Sequence, residues 1–271
     1  MFHRFSLAAI AALTLAGCQT TTTGTNQTTG PDTQTANGLA PVSDLFGIEN
    51  ATDVSFDLDT LTLTVDGTDY DLTEQPALAH GVFDYYGVSG NTHSVAMFGT
   101  SASGRTGAGV AYIASGGQGI FYQRIGQTVL PTKGTATFNG DYIATVDAQS
   151  AILDILGDAE LTADFSASTI SGSITNRQSW ARNLTPPTQS SATVDDVTLQ
   201  TTAITATGSF AGTATGGDYN DATSTSVSTT GRYEGVIGGG TGNEVVGGVV
   251  IEHDNTNNVH DMTEFGAFVA N

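Results

Sequence analysis

The chain is short of basic residues and almost without cysteine. Its 271 residues hold seven Lys and Arg against 27 Asp and Glu, with a single Cys. One cysteine excludes an intramolecular disulfide. The formal net charge of −20 repels nucleic acid and anionic headgroups, favours solubility and suits cationic partners. Scarce Lys and Arg also leave few sites for trypsin-like proteases. Charged residues make up only 13% of the chain, so the polar surface is mostly Thr, Ser, Asn and Gln. That composition fits an extracellular β-protein.

Long hydrophobic runs are missing too. Leu7 to Leu15 is apolar behind Arg4, but it is too short for a stop-transfer helix. It reads as the core of a signal peptide over residues 1–17. It ends in Leu15-Ala-Gly-Cys18, which resembles the bacterial lipobox. The resemblance implies small residues before the cut and diacylglycerol on the Cys18 thiol. Gln19 follows the cysteine; lipoproteins of enteric bacteria held at the inner membrane carry Asp there, so Gln19 permits export to the outer membrane. Residues 18–40 hold almost no large apolar side chain and cannot offset the entropy of ordering. They are expected to form a flexible tether.

The remainder alternates with a period of two, the pattern of half-buried strands. Residues 41–133 are expected to form a first β-rich unit. Leu61-Thr-Leu-Thr-Val65 precedes Asp66-Gly67, a strong short hairpin signal. A two-residue turn there pairs Leu63 with Tyr70 and Leu61 with Leu72 on one face. Val82–Tyr86, His93–Phe98, Gly109–Ile113 and Gly119–Ile125 are further strands. Residues 134–271 are expected to close into an eight-stranded antiparallel barrel. In it Ala136, Phe138 and Tyr142 share a face. Ala159, Leu161, Ala163 and Phe165 share another, and alternation predicts a strand through Ile204, Ala206, Gly208 and Phe210. Phe265 to Asn271 is the closing strand. Ala151 to Leu156 has the i, i+3, i+4 spacing of a short helix, and Trp180 to Pro187 is expected to be a loop.

The most informative stretch is Gly231-Arg-Tyr-Glu-Gly235, a glycine-rich connection, then Glu244-Val-Val-Gly-Gly-Val-Val250. Tyr233 and Ile237 fall on one strand face, Arg232 and Glu234 on the other. Glycines inside strands weaken them, so several together call for a bend, a bulge or room for a large neighbour. The stretch resembles the G-x-F-Y-G and E-x-x-G-G-x-F segments of the transferrin-binding-protein-like surface lipoproteins. Tyr233 stands for Phe, Glu234 for Tyr and Val250 for Phe. Gly134 to Tyr142, Leu161 to Phe165, Thr169 to Ser173 and Phe210-Ala-Gly212 resemble other strands of that family, in the expected order. The resemblance implies an all-β chain, with an N-terminal handle-like unit followed by the barrel. It also implies a surface-exposed outer-membrane lipoprotein that binds a protein or an iron or haem source, through loops that the sequence does not identify. A structural or adhesive surface lipoprotein without a soluble ligand is the alternative. The transferrin receptors of the family are two-lobed and this chain holds one handle and barrel, so transferrin itself is not implied.

Other chemistry finds little support. Asp57, Asp59, Asp66, Asp69 and Asp71 crowd one hairpin without the spacing of a calcium loop. His253 and His260 flank an Asn-rich turn without zinc-site spacing. No G-x-S-x-G elbow is present, and Gly238 to Gly242 lacks a following Lys and helix for phosphate. Tyr85, Tyr86, His93 and Met97 are side-chain types that ligate haem iron, yet they also suit a β-core. The sequence therefore predicts no metal site, no cofactor and no catalysis.

Overall fold

The computed structural model describes residues 54–57, 60–65, 68–75, 79–89, 91–113, 117–147, 152–181, 188–220, 225–255 and 262–271. The expected signal peptide and tether, Cys18 included, lie outside them, as do Asp66 and Gly67. Among the described residues every regular element is a strand.

Seven strands form the first sheet, in chain order: β1 (Val54–Asp57), β2 (Thr62–Val65), β3 (Thr68–Glu74), β4 (Phe83–Val88), β5 (Asn91–Thr100), β6 (Thr106–Ile113) and β7 (Gly117–Arg124). Leu63 pairs with Tyr70 and Val65 with Thr68, the register expected for a two-residue connection at 66–67. Leu72 N–H donates to the Leu61 carbonyl at 2.9 Å, continuing that register. The sheet curls on itself. Leu63 and Leu72 pack with Tyr86, Phe98, Ile113 and Phe121 on one face of β4–β7. The other face of β4–β7 meets the barrel.

The second sheet holds β8 (Thr135–Asp147), β9 (Ile152–Asp164), β10 (Thr169–Ala181), β11 (Thr188–Val194), β12 (Val197–Ala203), β13 (Ser209–Gly216), β14 (Tyr219–Asn220), β15 (Thr225–Gly238), β16 (Glu244–Asn255) and β17 (Met262–Ala270). Eight of them close a ring through β8–β9–β10–β12–β13–β15–β16–β17 and back to β8. The antiparallel eight-stranded barrel is thus present, with the final strand joining it to the first. At the end away from the β12–β13 hairpin, β11 and β14 take the place of β12 and β13 between β10 and β15.

Three expectations are corrected. The described part of the Ala151 to Leu156 stretch is not helical: β9 begins at Ile152, and Ile152 to Ile155 are all buried because the wall has apolar layers on both sides. A strand buried on both faces shows a continuous apolar run that mimics helical spacing. Ile204 to Phe210 is not one strand: Thr205 to Gly208 turn, Gly208 has φ +88°, and Ile204 bridges Phe210. Trp180 belongs to β10 rather than to a loop.

Glycine makes the interior possible. The Phe268 ring lies over Gly247 on the adjacent strand, where any Cβ would meet the ring and the Glu234 carbonyl. Phe210 covers Gly235, and Tyr233 covers Gly212, in direct register. Aromatic rings laid across neighbouring glycines fill a small barrel and protect weak strand positions together. The even-numbered residues of β17 face this interior. Its odd-numbered Phe265, Ala267 and Val269 face the first sheet, packed with Phe83, Tyr85, Met97, Val110 and Ile120.

Two changes test this packing by thermal or denaturant unfolding. Leu63→Ala should cost about 2–5 kcal/mol, because Leu63 is fully buried. Gly247→Ala should cost about 1–3 kcal/mol or more through overpacking. Unfolding midpoints equal to that of the parent chain would refute the corresponding contact.

Candidate functional site

Strict alternation along β10 places Ile170, Gly172 and Ile174 toward the barrel interior and would send Asn176 after them. The register instead shifts between Thr175 and Gln178. Two residues, Asn176 and Arg177, sit opposite the single Gly157, and Asn176 takes φ +53°. Such a bulge re-aims the side chains that follow it. Asn176 turns outward to donate to Asp158 Oδ2 at 2.6 Å. Arg177 turns inward and is buried.

Glu264 of β17 receives it. Arg177 Nη2 donates to both Glu264 oxygens, at 2.5 and 2.6 Å. Tyr142 Oη donates to Oε1 at 2.5 Å, and His253 Nε2 lies 3.7 Å from Oε2. Gly266 is the reason Tyr142 can arrive, since a Cβ there would overlap its hydroxyl. Arg177 also donates from Nη1 to the Asp195 carbonyl at 2.5 Å, and its guanidinium carbon is 6.0 Å from the Tyr142 ring centre. Burial alone would raise the Glu264 carboxyl. The Arg177 charge, His253 and the Tyr142 hydroxyl outweigh it and hold Glu264 down at about 2. Burial first, then Glu264, pushes the Tyr142 phenol well above its ordinary range. Burial opposes the Arg177 charge, but Glu264 and Tyr142 leave it raised. The cluster is therefore an ionised pair with a neutral phenol, a geometry suited to fixing strand register rather than to proton transfer. His253 Nδ1, Arg177 Nε and Ser179 Oγ are buried without a hydrogen-bond partner among the described residues.

A second set of carboxylates studs the outer wall where the first sheet docks. Glu244 accepts from Ser101 Oγ at 2.9 Å and Thr106 Oγ1 at 3.1 Å. Glu234, where the resembling family has Tyr, accepts from Tyr122 Oη at 3.3 Å. Asp154 accepts from Tyr85 Oη at 3.3 Å, and Asp141 from the Val82 N–H at 2.9 Å. Gly248 leaves the wall open for Ile120. These contacts join the sheet and barrel through a mixed apolar and hydrogen-bonded face.

The side chains singled out in sequence are only partly brought together. Tyr85 pairs with Met97 and both pack against the barrel, whereas Tyr86 faces the opposite layer. The haem-type set is thus split across a sheet. His253 is an interior residue of β16, not a turn residue, and His260 lies outside the described residues. Asp69 and Asp71 are exposed on β3, with Asp69 accepting from Thr64 Oγ1 at 2.7 Å; Asp59 and Asp66 lie outside the described residues. Gly238 ends β15 and Gly239 to Asn243 form the hairpin connection to β16. Arg177 was missed because the bulge breaks the alternation that sequence reading relies on, and Glu264 because the closing strand begins at Met262 rather than at Phe265. Their signal was present: one Arg in a strand of a cation-poor chain, and one Glu inside the apolar closing strand.

Replacing Glu264 tests the cluster. Glu264→Gln should destabilise the chain by about 3–5 kcal/mol, since it leaves Arg177 buried without its counter-charge. Because the folded carboxyl sits at about 2 against 4.5 ordinarily, its contribution is present above about 4.5 and is lost as pH falls toward 2. Denaturant titrations between neutral pH and pH 2 should show that loss in the parent and a shallower loss in Glu264→Gln. Parallel pH profiles would refute the ionised pair.

No family model matches the chain, and no curated protein matches it. Solved structures do. Transferrin binding protein B, isotype 1, of serogroup B Neisseria meningitidis is 17% identical, with a TM-score of 0.48 over 90% of this chain and 44% of that one. Intact Ap-TbpB, with N and C lobes, is 16% identical, with a TM-score of 0.44 over 81% and 43%. A surface lipoprotein is 14% identical, with a TM-score of 0.36 over 86% and 96%. The chain thus spans less than half the length of the two transferrin binding proteins it is similar to.

Proposed function

We propose that the chain is a lipid-anchored, surface-exposed lipoprotein of the outer membrane. It captures a protein or small-molecule ligand with its loops and performs no catalysis. The observation that carries this reading is the order of parts: a lipobox-like Leu15-Ala-Gly-Cys18, a polar low-complexity stretch, then a closed scaffold. The division at 18–40, 41–133 and 134–271 into tether, handle and barrel belongs to the same proposal. The barrel interior is occupied by Phe138, Tyr142, Phe210, Tyr233 and Phe268, which favours recognition outside it. β-Scaffolds present recognition on the loops at their ends. The solved proteins named above as transferrin binding proteins bind transferrin by name; a comparable protein ligand for this chain is the analogous proposal.

Two experiments test it. Cys18→Ser should abolish palmitate incorporation and release the protein from membranes; unchanged labelling refutes the anchor. Affinity capture with the lipid-free chain, read by mass spectrometry for proteins and small molecules, should return a saturable partner. Absence of any saturable partner would favour the structural or adhesive alternative.

A further inference from the structure

The first sheet is an open meander with two edges. Its corner is β3, whose residues 68–71 pair with β2 and 72–74 with β4. The strands β1–β3 thereby fold over β4–β7, with Leu63 and Leu72 packed in one layer with Ile113 and Phe121. Among the described residues β2 is the only strand partner of β1, and β6 that of β7. Yet the middle of β7 is not at the surface. Gly119 is buried, Ile120 is 3% exposed and Tyr122 8%. Backbone N–H and C=O groups in such a place have to be paired, because water does not reach them. β7 also lacks the Lys, Pro or bulge by which exposed edges resist pairing.

Strand direction restricts what can cover that edge. Every neighbouring pair from β1 to β7 is antiparallel. β1 and β7 therefore run the same way and cannot pair antiparallel with each other. One further strand running opposite to β1 also runs opposite to β7, and so closes the sheet. The chain entering β1 meets this condition. Residues 19–40 hold one large apolar side chain, Leu39, whereas Val42, Leu45, Phe46 and Ile48 follow directly. A period of two places Val42, Phe46 and Ile48 on one face with Asp44, and Leu45 on the other with Ser43 and Gly47. Pro41 stands before the stretch, where a strand tolerates it. Residues 49–53 then lead into β1 with Asn50 and Asp53, both turn formers, over a length usual for hairpin loops. Residues 42–48 extended span about 23 Å, against about 26 Å for the eight residues of β7.

We propose that residues 42–48 are the eighth strand of the first sheet, antiparallel to both β1 and β7, with Phe46 and Ile48 on the face of Leu63 and Phe121. The inference rests on the proposed unit at 41–133 and goes beyond it in naming what joins the two edges. It also deepens the functional reading. A sheet closed in this way offers no edge at which a partner could add a strand, so ligand capture falls to side chains and loops. The tether then ends at Ala40.

The test is amide hydrogen exchange on the full chain carrying Cys18→Ser, read residue by residue by NMR. Amides of residues 42–48 should exchange at least about 100-fold more slowly than those of residues 19–40. The β7 amides that point away from β6 should be protected too. Phe46→Asp should lower protection in both stretches at least about tenfold, and Leu39→Asp should leave both unchanged. Phe46→Ala gives the same readout at smaller amplitude where the aspartate variant does not fold. Exchange of residues 42–48 at the tether rate overturns the proposal, as do unprotected outer amides on β7. So does β7 protection that survives Phe46→Asp or rises with protein concentration, the latter assigning the edge to a second copy. Neither failed palmitate labelling at Cys18 nor an empty affinity capture moves these rates, so this inference and the functional reading fail separately.

Discussion

The last strand must lie between two apolar layers, and most of the structure follows from that requirement. β17 pairs with β8 on one side and β16 on the other. Its even-numbered residues enter the barrel and its odd-numbered residues meet the first sheet. A closing strand paired on both sides leaves the barrel no free edge for another chain to pair with. It also ties barrel closure to the docking of the first sheet, because Phe265, Ala267 and Val269 would otherwise face water. The two sheets thus share a strand that neither could bury alone, beside the contacts of β8, β9, β15 and β16.

The same constraint explains where polar groups sit. A two-sided apolar wall leaves few places for charge, and buried charge is tolerated only when paired and hydrogen-bonded. Inside, the acidic side chain of β17 is met by Arg177, Tyr142 and His253. Outside, the wall carboxylates are met by hydroxyl and N–H donors of the first sheet. Each such pair fits one alignment of its strands. A one-residue slip would exchange the faces and strand every one of these groups, so the polar contacts specify register while the apolar layers supply most of the stability.

Much of this was legible in sequence because the governing period is two. The Leu63–Tyr70 register, the faces of Tyr233 and Ile237, and the closing strand all followed from alternation together with turn chemistry. The errors came where a second physical rule intervened. Burial on both faces turned the start of β9 into an apolar run that mimics a helix. A glycine turn at Gly208 interrupted an apparent strand of seven residues. The Asn176–Arg177 bulge reversed the phase of β10 and hid the ion pair. A bulge adds one residue to one strand only, and no single-strand pattern reveals it; its clue is a glycine, Gly157, on the partner.

The glycines are the link between the parts that were legible and those that were not. Sequence reading assigned them to bends or to space for large neighbours, and the structure assigns most of the interior ones to space: Phe268 over Gly247, Phe210 over Gly235, Tyr233 over Gly212. Gly266 extends the rule from packing to electrostatics, since the ring it admits delivers a hydroxyl to Glu264. Gly248 extends it to the outer face, where it admits Ile120 of the first sheet. Adjacent glycines on one strand therefore serve opposite sides of the wall: Gly247 lets the barrel fill and Gly248 lets the handle-like sheet seat. The wall is thus shaped from both sides by where its glycines stand.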